Sequence, residues 1–282
     1  MKRLLALLAV TLISTGCTSA EQPPKARKII IDTDMGNLND DALATVLLAA
    51  SGVEILGVTI VGGNTWPEDG LDFARRLLIT HPDIPVILGD TATPERRSGY
   101  SGAVEYRRTN PRRGPAADFI AEQVTKYPGE VTILTIGPAT NLAKAVQTHP
   151  DMVPLVEHVV YLGGSTGNEQ EFNWWFDPEA AQIAVNTPFP HKTVVPMDVG
   201  FPVPKTDVSP ALRHFFARSP ELTAWDAIAA AIVLDPALAT GRASVAVTVG
   251  STGTMDLGPG TAALVLALDQ ERFRQTLHSV RD

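Results

Sequence analysis

The chain has 282 residues, of which 44% are hydrophobic and 19% charged, a composition that supports a large buried core and excludes a disordered or fibrous protein. Its formal net charge of −8, with no basic run interleaved with aromatics, argues against nucleic acid as a partner. No linker rich in Pro, Ser and Gly divides it, so one large domain is expected.

Residues 1–16 have the pattern of a signal peptide and stand apart from the fold. Lys2 and Arg3 precede the apolar run Leu4 to Ile13, and small residues Ser14, Thr15 and Gly16 follow. The run is short for a membrane span. Cys17, the one cysteine of the chain, comes next and resembles the lipidated residue of a bacterial lipoprotein signal, although Ser14 stands where such signals usually have Leu. The expectation is an exported protein of the periplasm or cell envelope, anchored to a membrane through lipid on Cys17; plain secretory cleavage is the alternative. Residues 17–27 read as a polar tether and 28–282 as the domain.

The domain opens on Ile29, Ile30 and Ile31, a β-branched run that predicts a buried strand. Four carboxylates follow within ten residues: Asp32, Asp34, Asp40 and Asp41. The period then becomes helical, with Leu43, Val46, Leu47 and Ala50 on one face, Asn39 as N-cap, and Asp40 and Asp41 in the first turn. A strand running through acids into a helix places those acids at the carboxyl edge of an α/β sheet, where ligands bind. Capping explains one or two of them; four together call for a hard cation with oxygen ligands, Ca²⁺ or Mg²⁺.

Further strands are expected at 53–61, 84–88, 131–136, 159–162 and 193–197. Helices are expected at 67–80 (Phe73, Leu77 and Leu78 inward), 116–127 and 224–234. Residues 90–115 carry no apolar period, and a long connection of that kind is either a lid over the acidic edge or a surface loop. The C-terminal part, from about 243, reads as a hairpin, a further strand and a closing helix. Alternating strands and helices predict an open, mostly parallel α/β sheet with helices on both faces, of Rossmann-related type.

Several strand ends carry motifs that together resemble the inosine-uridine preferring nucleoside hydrolase family, from about residue 28 to the C-terminus. They are Asp32-Thr-Asp-Met-Gly-Asn37 with Asp40-Asp41-Ala42, then Gly63-Asn64, Gly137-Pro-Ala-Thr-Asn141 and Gly163-Gly164. Glu171-Phe172-Asn173 with Asp177-Pro-Glu-Ala-Ala181, and Asp226 ahead of a small-residue helix, complete the set. The resemblance implies an N-glycosidase that cleaves nucleosides or related N-ribosides with bound Ca²⁺. It implies metal ligation by Asp34, Asp41, Asp226 and the carbonyl of Ile136, with Asp34 also the general base. It implies that Asp40, Asn64, Asn168, Glu171 and Asn173 hold the sugar.

Other positions read as structural. Asp32 is expected to satisfy backbone donors in its loop, Asp177 to start a helix with Pro178 at N1, and Trp174, Trp175 and Phe176 to be core or pocket wall. The six histidines show no ligand spacing and read as surface residues. The chain departs from the family pattern in its five-residue spacing between Asp34 and Asp40, in the short segment from Asp198 to Asp226, and at Trp225, where the family often has His. Trp225 is therefore expected to shape or stack against substrate. A sugar-binding lipoprotein with weak turnover is the competing function; a haloacid dehalogenase-type phosphatase, suggested by Asp32-Thr-Asp34, is the third. The sequence leaves a homo-oligomer open.

Overall fold

In the computed structural model, the described residues are 27–36, 40–92, 114–167, 169–217 and 219–281. Cys17, Asn39, Asn168 and the greater part of the 90–115 connection lie outside them.

Nine strands form one sheet: β1 (Lys28–Thr33), β2 (Glu54–Ile60), β3 (Val86–Leu88), β4 (Val131–Thr135), β5 (His158–Leu162), β6 (Lys192–Val195), β9 (Ala239–Val249), β10 (Met255–Pro259) and β11 (Ala262–Leu268). Their order is β10-β9-β11-β6-β5-β4-β1-β2-β3. The ladder from β11 through to β3 is parallel, and β9 is antiparallel to both its neighbours. The mostly parallel α/β architecture is as expected, with small shifts at element ends.

Side chains of β1 alternate between the two faces. Ile29 and Ile31 join one core, built with α1 (Asp40–Ala49), α2 (Pro67–Leu77), α7 (Trp225–Leu234) and α8 (Gln270–Ser279). Ile30 joins the other, with α3 (Ala116–Lys126), α4 (Thr140–Thr148) and α6 (Pro178–Asn186). A central strand covered on both faces thus has no polar side until its carboxyl end.

The sequence suggests a single apolar stripe on α1, but the helix is buried nearly all round, with Ala42, Leu43, Ala44, Thr45, Leu47 and Leu48 inside and Ala50 exposed beyond its end. The cause is α7, packed alongside it. Ala227, Ala229, Ala230 and Ala231 are all fully buried, and small residues let two helix backbones approach closely. In α2, Phe73 and Leu77 are only partly buried and Leu78 caps the end.

Between Asp198 and Asp226 the described residues contain a two-stranded ribbon, β7 (Pro202–Pro204) with β8 (Glu221–Thr223), and short 3₁₀ turns at Lys205–Asp207 and Pro210–Phe216. Apolar periodicity did not signal these, because proline punctuates the segment and its buried anchors, among them Phe201, Val203, Val208, Leu212, Phe215 and Phe216, follow no regular spacing.

Candidate active site

From β1 the chain steps to β2 and β3 on one side, then returns to place β4 on the other. The reversal between β1 and β4 is a topological switch point, where loops diverge and leave a crevice at the strands' carboxyl ends. Asp34 follows β1, Gly63 and Asn64 follow β2, and Ile136 follows β4. The acids of α1's first turn and Asp226 of α7's first turn reach the same place because those helices pack together.

Asp40, Asp41 and Asp226 can each offer an oxygen within 4.8 Å of the other two. All three are buried, and Asp34 is 1% exposed. Desolvation pushes Asp34 up to about 7 and Asp40 to about 6, and holds Asp41 and Asp226 well above the ordinary carboxylate range. Mutual repulsion adds to it: Asp34 and Asp40 both act on Asp41 and on Asp226. Asp34 Oδ2 accepts the Asn64 N–H at 2.6 Å, whereas its Oδ1 is buried with no hydrogen-bond partner among the described residues. Asp41 accepts the Thr33 hydroxyl.

These observations fit a divalent cation. An orphaned buried carboxylate oxygen beside three converging acids is costly unless a cation or protons neutralise them. Hard oxygen donors suit Ca²⁺ or Mg²⁺ better than a soft metal. The Ile136 carbonyl accepts the Asn173 amide at 3.1 Å, and both residues line one cavity.

That cavity, of about 210 Å³, brings together Asp40, Asn64, Ile136, Glu171, Asn173, Trp225 and Asp226. Candidate sugar and metal residues of five segments therefore converge on it; Asp34 and Asp41 are not in its lining, Asp34 accepting the Asn64 N–H and Asp41 lying beside Asp40 and Asp226. Glu171 has an additional structural duty that the sequence did not reveal. It caps the five-residue helix α5 (Phe172–Phe176), accepting the N–H groups of Asn173 at 2.8 Å, Trp174 at 3.0 Å and Gly164 at 3.2 Å. Burial nonetheless raises it to about 7.

Four lining residues escaped the sequence reading: Leu162, Gln170, Phe172 and Met197. Their signal was positional, since Leu162 ends β5, Met197 follows β6, and Gln170 and Phe172 flank Glu171. Trp174 and Phe176 are core, and Trp175 is half-buried. Asp177 caps α6 through the Ala180 N–H at 3.1 Å, as anticipated.

Asp32 corrects one expectation. Its Oδ1 accepts from two side chains, Thr59 Oγ1 at 2.6 Å and Asn141 Nδ2 at 2.8 Å, rather than from backbone donors in the loop. A strand residue fully buried inside the sheet has its own backbone committed to the ladders, so side chains from neighbouring segments must reach it. Asn141 also accepts the Asp90 N–H at 2.8 Å, tying the β4 and β3 ends to β1. His158 corrects another: it is half-buried, with Nε2 2.9 Å from Thr193 Oγ1, as its strand lies inside the sheet.

The family model described as inosine-uridine preferring nucleoside hydrolase matches residues 29–275. The chain belongs to this family. Among its relatives are uridine nucleosidase 1 of Arabidopsis thaliana, 35% identical over 60% of this chain and 56% of that protein, and the pyrimidine-specific ribonucleoside hydrolase RihA of Salmonella paratyphi A, 34% identical over 58% of each. The matched region thus spans under three-fifths of the length of these two curated relatives. The solved plant nucleoside hydrolase PpNRh1 superposes with a TM-score of 0.75 at 25% identity, over 90% of this chain and 98% of that one. The structural match therefore covers nearly the same span as the family model, and more of the chain than the segments aligned with these two relatives.

Proposed function

We propose that this chain hydrolyses the N-glycosidic bond of ribonucleosides or related N-ribosides, giving ribose and free base, with Ca²⁺ held by Asp34, Asp41, Asp226 and the Ile136 carbonyl. The observation that carries the reading is the Asp34 Oδ1 that has no partner among the described residues, beside three converging acids of which Asp40 and Asp226 line one cavity with Asn64 and Asn173. When bound, the cation would neutralise the acids and lend Lewis acidity to the oxygens it holds.

The protein's own groups supply the rest. Asp34, steadied by the Asn64 N–H, takes the proton of the attacking water. Asp40, Asn64, Glu171 and Asn173 hold the sugar hydroxyls, with Asn168 a further contact from outside the described residues. Amides and carboxylates suit a pentose, which displays both donors and acceptors. Burial of the set excludes bulk water and strengthens each contact with an oxocarbenium-like transition state. Trp225 shapes the end of the cavity that receives the base. We further infer that the protein acts in the cell envelope, anchored through Cys17.

The test is product analysis by chromatography after incubating the purified chain with calcium and a panel of ribonucleosides and 2′-deoxyribonucleosides. Release of free base is expected, and its absence across the panel overturns the reading.

A further inference from the structure

The cavity is divided in its chemistry. Asp40, Glu171, Asn173 and Asp226 are buried polar residues of its lining, and Leu162, Phe172, Met197 and Trp225 are its larger apolar and aromatic ones. Asn64 and Gln170 add two uncharged polar residues to the lining of the cavity. Among the described residues, no Lys, Arg or His lines it. Trp225, 38% exposed, has its indole N–H already donated to the Met197 carbonyl at 3.1 Å. Its ring lies so close to Gly200 that a Cβ there would come within 2.1 Å of the ring's Cδ1. The indole is thus fixed and presents an aromatic surface, not a proton.

That arrangement discriminates between leaving groups. A neutral base such as uracil departs as an anion and needs a proton at its ring nitrogen. A cationic base departs neutral and needs none. Resting on the hydrolase reading above, we propose that the preferred substrates are ribosides of cationic heterocycles, N-ribosylpyridinium compounds, with Trp225 as a specificity-determining residue. In the reaction the C1′–N bond breaks and its electron pair passes to the ring nitrogen, so the pyridinium leaves as neutral pyridine. The water oxygen bonds to C1′, and the water proton goes to Asp34. Aromatic faces attract cations, Trp most strongly. An acidic cavity on a chain of net charge −8 concentrates them.

The test compares kcat/KM for 1-ribosylnicotinamide, uridine and inosine, on the calcium-loaded full chain and on Trp225→Leu and Trp225→Phe. The cationic riboside is expected to lead the neutral pair by about a hundredfold, two factors of ten in leaving-group assistance. Trp225→Leu is expected to lower kcat/KM on every substrate, about tenfold more for the cationic riboside than for uridine, and Trp225→Phe to restore part of that difference. Equal kcat/KM for all three substrates, or an equal loss on all three in Trp225→Leu, overturns this proposal and leaves the hydrolase reading standing. Cleavage of none of them overturns both.

Discussion

Asp41 and Asp226 meet from the first turns of α1 and α7, two buried helices packed side by side, although these residues are distant in sequence. Each helix N-terminus favours a negative charge, but the two together, with Asp34 and Asp40, repel. The arrangement makes opposite demands with and without a cation. Asp41→Asn keeps an acceptor for the Thr33 hydroxyl and removes one charge. Stripped of metal, that variant is expected to melt above stripped wild type, because one repulsion is gone. With saturating calcium the order should reverse, since binding to the native state adds stability that grows with the logarithm of affinity. Calorimetry in chelator and in calcium checks both signs; wild type indifferent to calcium would refute the site.

Gly63 leaves room for Asp34. A Cβ at residue 63 would fall 2.1 Å from Asp34 Oδ2 and 2.7 Å from its Cγ. Gly63→Ala is therefore expected to displace the carboxylate and lower kcat about a hundredfold, the usual consequence of a misplacement near 1 Å. Circular dichroism should be unchanged, because Gly63 stands outside the strand. A variant with near wild-type kcat would separate Asp34 from the chemistry.

The strand-to-helix unit that opens the domain was legible because two local signals agree there: a β-branched run, then acids that cap and charge a helix start. The convergence of Asn64, Ile136, Asn173 and Asp226 on Asp34 was legible only through the motifs at strand ends, as no periodicity reports distances across a sheet. The burial of α1 on all sides was hidden because its partner α7 lies far along the chain, and a helix's own pattern records only its local face. Glu171 as a cap was hidden for a different reason. Glu is a rare N-cap, and its place was visible only once Gly164 and Trp174 were brought to it.

That capping duty has a measurable cost. Glu171→Ala leaves three buried N–H groups without acceptors, so a loss of about 1–3 kcal/mol in unfolding free energy is expected. Glu171→Gln retains one accepting oxygen and should lose less. Urea denaturation of both variants, with calcium present, reads the difference. Equal midpoints for Ala and wild type would show that water replaces the carboxylate.

Anchoring rests on Cys17 and is tested in cells. Expressed in a bacterium, the wild-type chain is expected to fractionate with membranes and Cys17→Ser to appear in the soluble periplasmic fraction. Soluble wild type would favour plain secretion.

His158 sets part of the acid sensitivity of the opposite edge of the sheet. It begins β5, half-buried with Thr193, and burial lowers its pKa from the ordinary 6.5 to about 4. The neighbouring His191, Arg242 and Arg27 push the same way. Between those two values the unfolded chain binds a proton that the folded chain refuses. Stability linked to His158 is therefore fully present above 6.5 and is lost as pH falls toward 4. Its slope is at most about 1.4 kcal/mol per pH unit for one proton. The raised carboxyls of Asp32 and Glu171 act in the opposite sense, favouring the fold as pH falls, so the wild-type curve alone would mix the two. His158→Gln can still hydrogen-bond to the Thr193 hydroxyl and cannot titrate. The difference in denaturation midpoint between wild type and variant, measured in saturating calcium, should be constant above pH 7 and shift in the variant's favour from 6.5 downward. Parallel curves across that range would show that His158 takes its proton without opening the fold.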